Sequence, residues 1–420
     1  MLRSVVAANL LTLGTYLSAI ALATEEAHFR HLRHFRTLRR RRYVLYIFNS
    51  KKQKGFNMKD KRQEKLAGIL VDYSAKVKKD DIVMVEYSDG TPMEFIREIQ
   101  TLCLKRGARY VDINYSNADL TYNFYRQASP RQLKYFPKHR LQFMKTVDVY
   151  IGIGSPWNTK TLSSIPGNIL SARQRIFKPI QRERVDNTRW VITRYPTHSQ
   201  AQAAGMSFED FEEFYFGACN IDWAVQSKRQ EKLKRLLDKV KTVRLVAPDT
   251  DLSFSIAGLP GIKCAGEHNM PDGEVFTAPV RDSVDGYIQY NTPSLYQGKE
   301  FSAVYFEFKK GRIVKARAGR GEEHLDSILN TDRGSRFIGE FAFGLNKKIR
   351  QPILSTLFDE KIAGSIHLTP GACYQECDNG NRSAVHWDLV RIMKDGDIYL
   401  DGKLAQRHGK FVLPALKALN

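Results

Sequence analysis

Between Gly364 and Val390 the chain gathers side chains of the kind that hold divalent metal ions: His367, Tyr374, Glu376, His386 and Asp388. The run 384–388 (Ala-Val-His-Trp-Asp) is predicted to be a strand. Side chains two apart on a strand share a face, so His386 and Asp388 can grip one ion together. Ile366, His367 and Leu368 form a second strand-like run, and the turn at Pro370 and Gly371 brings Tyr374 and Glu376 back toward His367. Imidazoles with carboxylates suit zinc, cobalt, manganese or magnesium rather than an iron–sulfur cluster or soft copper. Taken alone, these residues also fit an ordinary set of hydrogen-bonded strand ends. Two upstream carboxylates shift the balance. Glu274 lies in Gly-Glu-Val-Phe-Thr-Ala-Pro and Glu340 in Phe-Ile-Gly-Glu-Phe-Ala-Phe-Gly. An ionised carboxylate in such apolar company is costly unless a cation or strong donor meets it. Together these side chains are enough to hold two ions.

The motifs carry a resemblance. Asn-Met-Pro-Asp-Gly-Glu-Val-Phe-Thr-Ala-Pro from Asn269, Gly-Glu-Phe-Ala-Phe-Gly from Gly339, Gly-Ser-Ile-His from Gly364 and His-Trp-Asp from His386 follow one another as in the aminopeptidase T and aminopeptidase S type of co-catalytic metallopeptidase. The similarity runs from about Met58 to the C-terminus and includes the segment from Tyr195 to Phe211. It implies that Glu274, Glu340, His367, His386 and Asp388 carry two divalent ions, with Tyr374 at or beside the site. It also implies a broad-specificity exopeptidase acting on peptides with a free N-terminus, and a homodimer. One departure stands out: the family often has proline after the tyrosine, where this chain has Gln375.

A two-ion site needs a carboxylate that touches both ions and a water between them to attack the first peptide bond. Either Glu274 or Glu340 fits the bridging role. A further carboxyl should pass a proton to the leaving amine, first Glu376 and behind it Glu360. Tyr374 is placed to donate to the developing oxyanion. His268 is a candidate to orient a ligand, or a plain loop histidine. Two rival readings use the same residues. One is a ring-cleaving dioxygenase of related fold, with a single iron on His367, His386 and Asp388. The other is a basic nucleic-acid-binding protein, for which no aromatic and basic interleaving speaks.

The elements that must position these groups divide the chain. With 420 residues, 42% hydrophobic and 11% aromatic, there is material for two cores. Of the net charge of +21, nine units fall in residues 1–57, which hold eleven Lys or Arg against Glu25 and Glu26. There an apolar run from Val5 to Ala23 resembles a leader or membrane anchor, and a dense basic block follows. The expected enzyme begins at Met58, which makes residues 1–57 an upstream extension. Membrane attachment or export then applies only if that segment is retained. Five cysteines in so long a chain point to reduced thiols and a cytoplasmic setting.

Residues 58–241 alternate helical stripes (Leu66, Leu70, Phe95, Ile99, Cys103) with short apolar runs near Ile82, Tyr110, Val149 and Trp190. That pattern predicts an α/β domain with a doubly wound parallel sheet. The Gly152-Ile153-Gly154 run reads as a strand-exit loop, not a dinucleotide site, because no third glycine follows. From 242 to 420 β signals dominate, with hairpins at Lys310-Gly311 and Asp401-Gly402. This predicts a β-rich α+β catalytic domain carrying every candidate ligand.

Overall fold

The computed structural model describes Asp60–Asn420. The leader-like run, the basic block and the expected start at Met58 lie outside the described residues. Asp60 caps the first helix, Lys61–Gly68, by accepting from the backbone N–H of Arg62, and the helix winds on into a π-helical stretch, Ile69–Ser74.

Strands β1 (Ile82–Ser88), β2 (Tyr110–Ser116), β3 (Val149–Gly154) and β4 (Arg189–Arg194) pair in parallel in the order β2-β1-β3-β4. Helices connect them as the alternating pattern predicts. Met93–Lys105 buries Phe95, Ile96, Ile99 and Cys103 against the sheet, and Gly107, at φ +85°, supplies the left-handed residue beyond its end. Phe208–Cys219, capped by Ser207, adds Phe211 and Tyr215 to the same core. Gly152 and Gly154 lie inside β3 rather than in a loop after it, which leaves no phosphate-cradling turn there.

Beyond the helix Trp223–Leu237 the pairing becomes antiparallel. The strands, in chain order, are β5 (Thr242–Ala247), β6 (Thr250–Ser255), β7 (Ile262–Cys264), β8 (Asn269–Met270), β9 (Glu274–Thr277) and β10 (Asp285–Gln289). They continue as β11 (Ser294–Tyr296), β12 (Lys299–Phe301), β13 (Tyr305–Lys309), β14 (Arg312–Arg317), β15 (Ile338–Gly344), β16 (Ser365–Pro370) and β17 (Leu389–Ile392). The last are β18 (Asp397–Leu400), β19 (Lys403–Arg407) and β20 (Lys410–Phe411). One sheet runs β14-β13-β10-β6-β5-β18-β19-β20 and another β17-β16-β15-β9-β7. Leu245, Leu252, Phe254 and Phe306 from the first share a core with Phe341, Phe343, Ile366 and Leu368 from the second, and Phe254 meets Phe341 edge-on at 5.0 Å. The smaller sheet therefore has one greasy face, and its other face is free for chemistry.

The change from parallel to antiparallel pairing supports a division near residue 242, which we propose as one of architecture. Several features cross it, two of them large. Strand β8 extends the parallel sheet beside β4, and Phe358 and Ile362 pack into the core around β1. Asp60–Asn420 accordingly forms one compact unit.

Candidate metal centre

The free face of the smaller sheet is built from alternation and register. Along β15 the residues Glu340, Ala342 and Gly344 point one way, while Phe341 and Phe343 point into the core. Ala342 is directly opposite His367 on β16, Gly344 is opposite Glu274 on β9, and Glu340 is opposite Thr369. Paired residues share a face, so Glu274, Glu340 and His367 project together above two residues with almost no side chain.

Glu340 lies between two groups. Its Oε1 is 3.2 Å from His367 Nε2, and its Oε2 is 3.5 Å from His386 Nε2. One group is Glu274, Glu340 and His367; the other is Glu340, His386 and Asp388. In each, the potential ligand atoms lie within 4.8 Å of one another. His386 Nε2 is also 3.4 Å from Asp388 Oδ1.

The run 384–388 is not the strand that alternation predicts. It is irregular, with a single bridge between His386 and Gly371, and regular pairing resumes only at Leu389. Local hydrogen bonds outcompete a ladder here: Asp332 accepts from the Ser383 hydroxyl and the Ala384 N–H, and His386 Nδ1 donates to the Ala372 carbonyl. That bond leaves His386 Nε2 turned toward Glu340. Asp388 is steadied by a 2.6 Å bond from Thr369 Oγ1, again from the site face of β16.

Burial opposes charge on every member of the cluster, and the neighbours decide the outcome. Both imidazoles are disfavoured as cations by desolvation. Even so, Glu340, Glu274 and Asp388 hold His367 up to about 9, and Asp388 and Glu340 hold His386 up to about 10. Asp388 is driven well below the carboxylate range, because His386, His367 and Thr369 outweigh its own desolvation. Desolvation raises Glu340.

These features fit a divalent ion. Glu274 Oε2 is buried without a hydrogen-bond partner and lies 3.7 Å from His367 Nε2, so a cation between the two would satisfy it. The donors are oxygen and imidazole nitrogen, matching hard to borderline divalent metals.

The other expected residues divide. Glu360 converges with His367 and Asp388, and burial, with Asp388 and Glu274 adding to it and Lys361 opposing, pushes its carboxyl up to about 8. Glu376 does not converge: it is exposed on the single turn Gln375–Cys377 and belongs to none of the ligand groups. Tyr374 is 47% exposed, yet its ring meets His386 edge-on at 5.1 Å. Desolvation on that inner side, then the charges of Glu340 and Asp388, hold its phenol well above the usual value. His268 is turned away, stacked on Trp190 at 4.5 Å, so it orients none of these ligands. Cys373 and Cys377 are free thiols outside the ligand groups.

Sequence reasoning missed Lys361, which is fully buried, with its ammonium 2.7 Å from Glu274 Oε1 and 2.5 Å from Glu360 Oε1. It also missed Gln230, whose amide holds the Glu274 carbonyl at 2.5 Å from the helix Trp223–Leu237. A fully buried lysine beside an acidic residue inside Asp-Glu-Lys-Ile-Ala-Gly leaves no periodic mark.

Gly344 permits this arrangement. A Cβ there would lie 2.3 Å from the Ile362 carbonyl oxygen and 2.6 Å from Ser365 Oγ, so residues 360–362 lie across a strand that has to be bare. Gly344→Ala is expected to cost about 1–3 kcal/mol, as overpacking of a tight interior does. Thermal unfolding checks this: a melting temperature equal to the parent's would show that the loop yields freely.

Comparison with known proteins bears on what the cluster is for. Residues 59–411 match the family described as thermophilic metalloprotease (M29). The chain belongs to the thermophilic metalloprotease family. Proteins similar to it include aminopeptidase AmpS of Bacillus subtilis, 27% identical over 364 residues, which are 77% of this chain and 87% of AmpS. Aminopeptidase 2 of Geobacillus stearothermophilus is 25% identical over 403 residues, 82% of this chain and 95% of that protein. The solved structure of wild-type AmpT from Thermus thermophilus shares the fold with TM-score 0.75 at 24% identity, covering 84% of this chain and 99% of that one. This thermophilic metalloprotease family member is thus a hydrolase. The dioxygenase reading finds no support among these relatives, nor does the nucleic-acid reading. Among the described residues no helix is long and apolar enough to cross a membrane.

Proposed function

We propose that this chain is a metal-dependent aminopeptidase in which Glu274, Glu340 and His367 would hold one divalent ion and Glu340, His386 and Asp388 a second. The observation that carries this reading is that the two oxygens of Glu340 face different histidines, as a bridging carboxylate requires. Of the two carboxylates that fitted the bridge in sequence, Glu274 is excluded from that role in this reading because one of its oxygens is already bound to Lys361. When bound, such ions supply Lewis acidity and a nucleophilic water at neutral pH. The chain's own residues do the rest. Glu360, held near Asp388 and His367 with a raised pKa, is the group we assign to carry the proton to the leaving amine, in place of the exposed Glu376. Tyr374, at the rim beside His386, is assigned to donate its phenolic hydrogen to the oxyanion. The reading includes zinc, cobalt, manganese or magnesium as the metal, peptides with a free N-terminus as substrates, a homodimer, and a cytoplasmic setting, the last supported by five free cysteines.

The test uses an aminoacyl-nitroanilide and its N-acetylated form. Hydrolysis of the first with none of the second supports an aminopeptidase; equal turnover of both would show that a free amine is not recognised.

The cluster's electrostatics also give a pH signature. In the protein stripped of metal, His367 and His386 titrate above the ordinary imidazole value of 6.5, near 9 and 10. Their contribution to stability is therefore complete below about pH 6.5 and lost as pH rises through 9 to 10. Stripped protein should melt lower at pH 10 than at pH 7. The metal-loaded form, whose ligating imidazoles are neutral, should not show this loss. Differential scanning calorimetry of both forms across this range is the check, and parallel pH profiles would contradict it.

A further inference from the structure

Lys361 is the charge in this site that metal ligation does not explain. Its ammonium lies 2.7 Å from Glu274 Oε1, 2.5 Å from Glu360 Oε1 and 3.9 Å from Asp272 Oδ1, with no exposed surface. Cys264, Asp272 and Glu274 form a further group spaced closely enough to attract an ion. The ammonium already serves that end of the cluster. Asp272 is fixed by bonds from the backbone N–H groups of Gly266 and Gly273, and the Lys361 carbonyl accepts from Asn346 N–H at 3.0 Å. Neither partner is free to swing away.

The consequence falls on Glu274. With Oε1 bound to Lys361, only Oε2 is left, and Oε2 has no hydrogen-bond partner and lies 3.7 Å from His367 Nε2. We propose that Lys361 is a positioning residue: it claims one oxygen of Glu274, making that side chain a one-oxygen terminal ligand, and holds Glu360 over His367. The bridging role then falls to Glu340. This rests on the two-ion reading above. A buried lysine paired to several carboxylates is costly to assemble but keeps each of them in one orientation, as a well-ordered metal site needs.

The experiment measures metal, not turnover. Full-length protein, stripped of metal, is titrated with cobalt, and bound ion is counted by equilibrium dialysis with elemental analysis. Three variants are compared with the parent: Lys361→Met, Glu274→Gln and the double variant. The parent should take up two ions. Lys361→Met should weaken one of them ten- to hundred-fold and leave the other unchanged. The double variant should bind no worse than Glu274→Gln alone, because Lys361 acts through Glu274. A merely structural lysine would weaken both ions together, or add its loss to that of Glu274→Gln, and either result overturns the proposal. So does unchanged affinity in Lys361→Met. Should Lys361→Met fail to fold, Lys361→Gln, which keeps a hydrogen-bond donor but not the charge, takes its place under the same criteria. A parent that takes up no cobalt would overturn the two-ion reading itself, a distinguishable failure.

Discussion

Glu340→Gln is expected to reduce amino-acid release at least a thousandfold and to lower the metal content of the chain from two ions to one or none. The change is nearly isosteric, so packing above Ala342 is kept and the loss reports chemistry. Glu340 has both oxygens engaged, one toward each histidine, and it is the one side chain common to the two groups. An amide carries a single acceptor oxygen and no charge, and cannot join two cations. Several kcal/mol of transition-state stabilisation disappear with the ion pair, and each 1.36 kcal/mol is a factor of ten. Glu274→Gln should be milder and should cost one ion, since Glu274 belongs to only one of the two groups that share Glu340. Steady-state kinetics with elemental analysis of both variants check the pair. Equal losses in the two would place the bridge elsewhere.

Exhaustive chelation is expected to abolish activity reversibly and to lower the melting temperature by several degrees. An ion that binds only the folded chain stabilises it by about 2.7 kcal/mol at a hundred times its dissociation constant. Removing it also exposes Glu274, Glu340 and Asp388 to one another without a shared cation. The protonated histidines compensate in part, and more fully at low pH than at high. Readdition of zinc, cobalt, manganese and magnesium in separate samples should restore both properties together. Recovery of stability without recovery of turnover, for every ion, would separate the cluster from catalysis.

Much of this was legible in the chain before any coordinates. Glu274 and Glu340 stood out because a carboxylate in a run of Val, Phe, Ala and Ile has no other reason to be there, and β9 and β15 are buried throughout. The alternation of helical stripes with apolar runs located β1 to β4. The geometry of the run 384–388 was hidden because its backbone is tied by Asp332, some fifty residues earlier, and no local pattern announces such a bond. In sequence Glu376 stood ahead of Glu360, both being carboxylates next to loops, and the structure reverses that order. What separates them is a long-range crossing, residues 360–362 over the bare strand at Gly344. Lys361 was invisible for the same reason, since lysine is almost never buried without partners, and two of its three partners, Glu274 and Asp272, are nearly ninety positions away.

The two halves of the cluster are anchored unequally. Glu274, Glu340 and His367 rise from three neighbouring strands, whereas His386 and Asp388 flank the buried Trp387 in an irregular stretch tied by Asp332, by a single bridge to Gly371 and by the bond from the Trp387 N–H to the Pro370 carbonyl. Warming or mild denaturant will thus slacken the second half while the first is still intact. Activity is then expected to fall first, while the sheet beneath remains as a template on which the missing half can reassemble once the stress is withdrawn.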